Sequence, residues 1–206
     1  QISFFILLII FVLSAKNHDD FEYYHFAYIH LLTTEPTIYG IGNFNLGFRT
    51  PSSIFYLSSL FYLPKVGYDL IHIAPVFFLG FANFILIEKI NFLRKVKKNY
   101  FIILLSLIAL IIINIFFYRM AEHGTDRTAQ IIIFLIIIEL LYFLNTKNIE
   151  NSFLEKLFIL IVLCISLKSL YVIYLLLFLP ILFYQTEKIS YLVNLTMNKV
   201  FIFSIF

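Results

Sequence analysis

Apolar residues in this chain come in long blocks: Ile2 to Leu13, Leu70 to Ile87, Tyr100 to Tyr118, Ile131 to Leu144 and Phe158 to Tyr184. Several of these blocks approach the roughly 20 residues that a helix needs to cross a bilayer. None shows the alternation of a barrel strand. The pattern predicts an all-α chain, a polytopic transmembrane helical bundle, with spans over 1–15, 70–88, 100–118 and 128–144 and another beginning over 199–206. The block within 157–184 is different. Its 27 apolar-run positions, Phe158 to Tyr184, at about 1.5 Å each exceed a hydrocarbon core of roughly 30 Å. A broken span, or two short helices meeting near Ser166 to Ser169, is expected there.

The long polar interruption, 16–69, has helical periodicity of its own. Phe21, Tyr24, Tyr28, Leu31 and Leu32 recur at helical spacing, which predicts an amphipathic helix lying in the membrane interface with its aromatic side toward lipid, ending before Glu35-Pro36. Turn formers fill Gly40 to Gly47. Thr50-Pro51 then reads as an N-cap with proline at the first helical position, opening a second interfacial helix from Pro51 to Leu63, stopped by Pro64. The fold class expected is thus a membrane bundle with interfacial helices in its first outer loop.

Composition agrees with the pattern: 62% hydrophobic and 13% charged residues, with a mean hydropathy of +0.95, exclude an ordinary soluble domain. The placement of charge matters more than its sum. Lys89, Arg94, Lys95, Lys97 and Lys98 crowd the connection after the second span, which the positive-inside rule assigns to the cytoplasm. Segment 16–69 and the connection from Tyr118 to Arg127 then fall outside, and Asn145 to Lys156 inside. The first loop carries five acidic residues against three basic ones, the opposite bias. An integral membrane protein with its first loop on the outer side is expected. Membrane lipid is an expected partner and nucleic acid is not.

Gln1 in place of methionine and an apolar end at Phe206 suggest a piece of a longer protein. A signal-peptide core over Ile2 to Leu13, cleaved after Ser14-Ala15, is the alternative to a truncated span; the lack of a basic leader argues for the span. Cys164, alone in an apolar run, reads as an inert small hydrophobe. The sequon Asn194-Leu195-Thr196 reads as chance, and the glycines of Gly40 to Gly47 lack the strand and lysine of a nucleotide loop.

Three short stretches carry a resemblance. Asp19-Asp20 with Tyr23-Tyr24-His25, then Gly124-Thr125-Asp126, then Leu167-Lys168-Ser169-Leu170-Tyr171 followed by Leu179-Pro180 resemble motifs of the GT-C superfamily of membrane glycosyltransferases, of the protein-mannosyltransferase and aminoarabinose-transferase type. Where that family shows a His-Pro-Pro-like segment, this chain has Arg49-Thr50-Pro51-Ser52-Ser53. The resemblance implies an inverting transfer of a sugar from a polyprenyl-phosphate donor to an acceptor hydroxyl on the outer face of a bacterial inner membrane, with the first loop facing the periplasm.

That chemistry asks for a base at the attacking oxygen and positive charge at the departing phosphate. Asp20 is the first candidate base, with Asp19 second, because a carboxylate at the interface stays ionised yet meets a lipid-borne substrate. Glu22, His25 and His123 are candidate supports, and Asp126 a second acidic site. A divalent cation held by Asp20 and Asp19 is an open alternative; Glu22 and His25 add ligand types, though no known metal motif has this spacing. Lys168 is the candidate for the donor phosphate, since an ammonium inside an apolar run costs on the order of 3 kcal/mol unless a partner or a wet cavity compensates it. Arg49 is a lesser phosphate candidate and Arg119 another.

Each has a bland counterpart. Acids at helix starts are ordinary caps, lysines near span ends snorkel, and Arg49 can anchor a loop. Glu139 lies close enough to the inner end of its run to reach the cytoplasmic boundary, while Asn83 and Asn114 read as interhelical hydrogen-bond residues. The rival functions are a transporter with Lys168 on its substrate path, and a non-catalytic assembly subunit.

Overall fold

A computed structural model describes residues 20–36, 38–49, 52–116, 125–146 and 151–180. Among these residues every regular element is helical and no β-strand forms. A π-helical turn, Phe21–His25, leads into α1, Phe26–Thr34; α2 is Ser53–Ser59, α3 Ile73–Val96, α4 Tyr100–Phe116, α5 Thr125–Thr146 and α6 Asn151–Leu167. A ten-residue 3-10 segment, Ser169–Phe178, follows. The expected spans at 1–15 and 199–206 and the sequon fall outside the described residues, as do Thr50 and Pro51.

The helices α3 to α6 run alternately up and down. Between α3 and α4 the chain reverses within Lys97 to Asn99, both of which adopt left-handed backbone at φ 52° and 57°. Lys97 N–H donates to Arg94 O and Lys98 N–H to Leu93 O, so the last carbonyls of α3 are satisfied by the turn itself. Contacts between α5 and α6 keep one antiparallel register from end to end. Asp126 meets Lys168, Cys164 Sγ lies 3.6 Å from Ala129 O, Lys156 meets Glu139 and Phe153 stacks near Phe143. Each advance along α5 is matched by a like retreat along α6.

The buried face of α4 is Ile102, Ser106, Ala109 and Ile113, spaced three and four apart. Its opposite face exposes Phe101, Leu104, Ile108, Ile111 and Ile115, and α3 likewise exposes Phe77, Phe81 and Phe84. The first part of α3, to Ile87, and α4 therefore expose apolar side chains on the face away from the bundle, which in water would leave a large unpartnered surface. Among the described residues two helices, α3 over Ile73–Val96 and α5 over Asp126–Thr146, are long and apolar enough to cross a bilayer by length and composition, and α4 is a shorter apolar helix. Within the bundle the amides of Asn83 and Asn114 bond each other reciprocally, at 3.2 and 2.6 Å. Each also donates to the carbonyl four residues back, so the polar atoms of this pair stay satisfied between α3 and α4.

The first-loop helices differ from the sequence expectation in two ways. The cap of α2 is Ser52, whose hydroxyl accepts from Ile54 N–H, and the helix stops at Ser59 rather than running to Leu63. The aromatic side of α1 also turns inward: Tyr28 is buried, its ring 5.3 Å from Phe48 and 5.6 Å from Phe55. Hydroxyls fasten the loop as well. Tyr28 bonds Tyr56 at 3.1 Å, and Tyr68 bonds both His30 Nδ1 at 2.7 Å and Thr33 at 2.8 Å. An amphipathic face finds its apolar partner in α2 and the 3-10 turn Leu46–Arg49, so it does not need lipid.

Candidate functional site

The chain between α6 and the 3-10 segment is interrupted at one residue. Lys168 is extended, at φ −152° and ψ 116°, between Leu167 and Ser169. A helix end leaves carbonyls without intrahelical donors, and here the first loop supplies one. The Ser52 hydroxyl donates to Leu167 O while accepting from Ile54 N–H, so one buried side chain caps the start of α2 and the end of α6 together. The hydroxyls of Ser53 and Ser166 lie 3.3 Å apart alongside.

Lys168, thus released from helical geometry, pairs its ammonium with the carboxylate of Asp126 in the first turn of α5. Neither partner is sealed in: their side chains are 35% and 49% accessible, so the pair remains open to an incoming group. It borders a cavity of about 390 Å³ lined by Tyr24, Ser52, Phe55, Leu167, Lys168 and Ser169, among others. Tyr24 reaches this cavity because of a glycine. An alanine Cβ at Gly47 would fall 2.5 Å from Tyr24 Cγ, so only glycine lets the loop lie across that ring. Asn45 fixes the crossing, its side chain accepting from Gly47 N–H at 2.8 Å and donating to Tyr23 O at 3.2 Å.

The Tyr24 phenol is held above its ordinary range, first by burial and then by the negative charge of Asp20 and of Asp126. Both acids therefore act on the same hydroxyl. Asp20 is half-buried at the head of the π turn, where its backbone carbonyl accepts from the N–H groups of Tyr24 and His25 at 3.1 and 3.3 Å.

The other sequence candidates divide. His25 is buried, with its ring 4.2 Å from Tyr24 and 5.2 Å from Phe55, and so supports the wall behind the cavity. Glu22 is exposed. Arg49 does not line the cavity; its Nε donates to Gly42 O at 3.1 Å, tying its own loop together. Asp19, Arg119 and His123 lie outside the described residues. Among the described residues no three His, Cys, Asp or Glu side chains converge as a metal site, so a cation at Asp20 would need ligands from elsewhere.

Tyr24 and Ser52 are cavity residues that the sequence reading did not assign. A tyrosine at helical spacing looks like lipid-facing surface, and a serine after Thr50-Pro51 looks redundant as a cap. The one signal was Gly47, a glycine whose need for close approach shows only with its partner known.

At the other end of the bundle Glu139 departs from expectation. It does not reach outward but is buried, with Lys89 Nζ on one carboxylate oxygen at 2.7 Å and Lys156 Nζ on the other at 2.8 Å. Lys89 also lies over the Tyr142 ring, 4.4 Å from its centre.

No curated protein and no solved structure matches this chain. A family model described as Domain of unknown function (DUF8201) matches residues 1–206, the whole sequence, and the chain belongs to that family.

Proposed function

We propose that the chain is part of a membrane-embedded glycosyltransferase of GT-C type, acting on a polyprenyl-phosphate sugar at the outer face of a bacterial inner membrane. The observation that carries the reading is the open Asp126–Lys168 pair at a helix break, beside a cavity whose Tyr24 hydroxyl lies in the field of Asp20 and Asp126. Support for the membrane comes from the two long apolar helices and from the apolar side chains exposed on α3 and α4. In that setting the end bearing Asp20, Asp126 and Lys168 faces outward and the lysine-rich end inward.

In the reaction, Asp20 takes the proton of the acceptor hydroxyl and the freed oxygen attacks the anomeric carbon. The bond from that carbon to the phosphate oxygen breaks with inversion, and the polyprenyl phosphate leaves with the electron pair. Lys168 receives the phosphate charge, exchanging Asp126 for it. Ser52 and Tyr24 are positioning residues, the first holding the helix break and the second the wall.

The test is release of polyprenyl phosphate from polyprenyl-phosphate mannose, glucose and aminoarabinose, followed by mass spectrometry in membranes carrying the full-length protein. Release that Asp20→Asn abolishes at unchanged expression is the expected result. Transfer retained by that variant removes the catalytic assignment. The break at Lys168 also suits a transporter's discontinuous helix; proteoliposome uptake dependent on Lys168, with no sugar transfer, would decide for that reading.

A further inference from the structure

The cluster at the lysine-rich end has more positive charge than its fold requires. Glu139 is already matched by Lys89 at 2.7 Å, yet Lys156 binds the second carboxylate oxygen with 44% of its side chain accessible. An ammonium has three donors, so Lys156 can keep Glu139 and still accept an anion from the open side.

Two adjoining clefts meet there, sharing Phe92, Leu93 and Tyr142 as a common wall. One, of about 220 Å³, includes Glu88, Lys89 and Lys156; the other, of about 630 Å³, includes Val96, Lys98, Asn99 and Phe153. Their lining holds three lysines and one carboxylate, Glu88, while Glu139 is buried behind Lys89 and Lys156. The α4 helix begins beside Asn99, adding the positive end of its dipole. Their outer wall is apolar: Phe92 and Val96 are 57% and 45% exposed. A small soluble anion would use the lysines and leave that wall uncovered. A molecule with a phosphate head and a hydrocarbon tail matches both.

We propose that this end of the bundle binds an anionic phospholipid, its phosphate between Lys98 and Lys156 and its acyl chain along Phe92, Val96 and Phe153. The inference rests on the membrane part of the proposed function and not on sugar transfer. It assigns the lysines a task at the face opposite the Asp126–Lys168 cavity.

The test is native mass spectrometry of the full-length protein in detergent, with phosphatidylglycerol, phosphatidylcholine or inorganic phosphate added. Wild type should retain phosphatidylglycerol in preference to phosphatidylcholine, and millimolar inorganic phosphate should not displace it. The double variant Lys98→Gln, Lys156→Gln, in which Lys89 still neutralises Glu139, should bind phosphatidylglycerol about 30-fold more weakly with a melting temperature lowered by no more than about 4 °C. Phe92→Ala should weaken the lipid without weakening inorganic phosphate. Equal retention of both lipids, or a double variant that binds like wild type, overturns the site; displacement by inorganic phosphate overturns the lipid as its occupant. Carbonate washing of the membranes beforehand separates the two claims: a protein that washes off refutes the membrane reading and the lipid site together. One that stays in the membrane but shows no lipid preference refutes only the site.

Discussion

Replacing Glu139 by glutamine is the sharpest perturbation of the bundle. Its carboxylate is 4% accessible and Lys89 11%, so water replaces little of what is lost. Breaking a buried pair by removing one partner costs about 3–5 kcal/mol, because the remaining charge stays uncompensated. The Lys156 side chain, 44% accessible, can turn to solvent, and the penalty therefore falls mainly on Lys89. Tyr142 retains roughly 1 kcal/mol of attraction for that ammonium, which places the expected loss near the lower end, about 3 kcal/mol. By contrast Lys156→Gln leaves the inner pair intact and should cost about 0–1 kcal/mol, as exposed pairs do. Denaturant unfolding in detergent micelles, comparing the two variants with wild type, reads the difference. If Glu139→Gln and Lys156→Gln lose equal stability, or Glu139→Gln loses less than about 1 kcal/mol, the carboxylate is not what compensates Lys89.

Ser52→Ala should lose about 1–3 kcal/mol in the same assay, since it uncaps α2 and leaves Leu167 O without its donor; a loss within experimental error would refute the double cap. Tyr24 should titrate above its ordinary 10.0, because burial, Asp20 and Asp126 all oppose its anion. The sign follows: its contribution to stability is complete below the unfolded value and is lost as pH rises through the higher folded one. Carbon-13 tyrosine resonances, with Tyr24→Phe for assignment, should show Asp126→Asn moving that titration downward; a titration at or below 10.0 in wild type contradicts the placement.

Much of the helix order was legible because block length and turn residues are local properties. The break within the last block follows from its length, and the need of Lys168 for a partner or a wet cavity follows from an ammonium set in an apolar run. Which partner it takes depends on the α5–α6 register, which no single helix encodes, so Asp126 on sequence alone reads first as a cap. Glu139 is hidden from the sequence for a similar reason: its distance from the helix end suggests an outward reach, whereas Lys89 and Lys156 come from two other helices to meet it. The first loop was the least readable. Periodicity identified an apolar face on α1 but not whether lipid or protein would cover it, and Phe48, Phe55 and Tyr56 were too far along the chain to reveal themselves as its cover.

The central claim is that the first loop, through Tyr24, Ser52 and Phe55, lines one cavity with Lys168, and cross-linking tests it most directly. In a Cys164→Ala background, Tyr24→Cys paired with Lys168→Cys should link through a short bis-maleimide, and Tyr24→Cys paired with Lys98→Cys should not. A link to position 98, or none to position 168 while both cysteines remain reactive to a single maleimide, would contradict it.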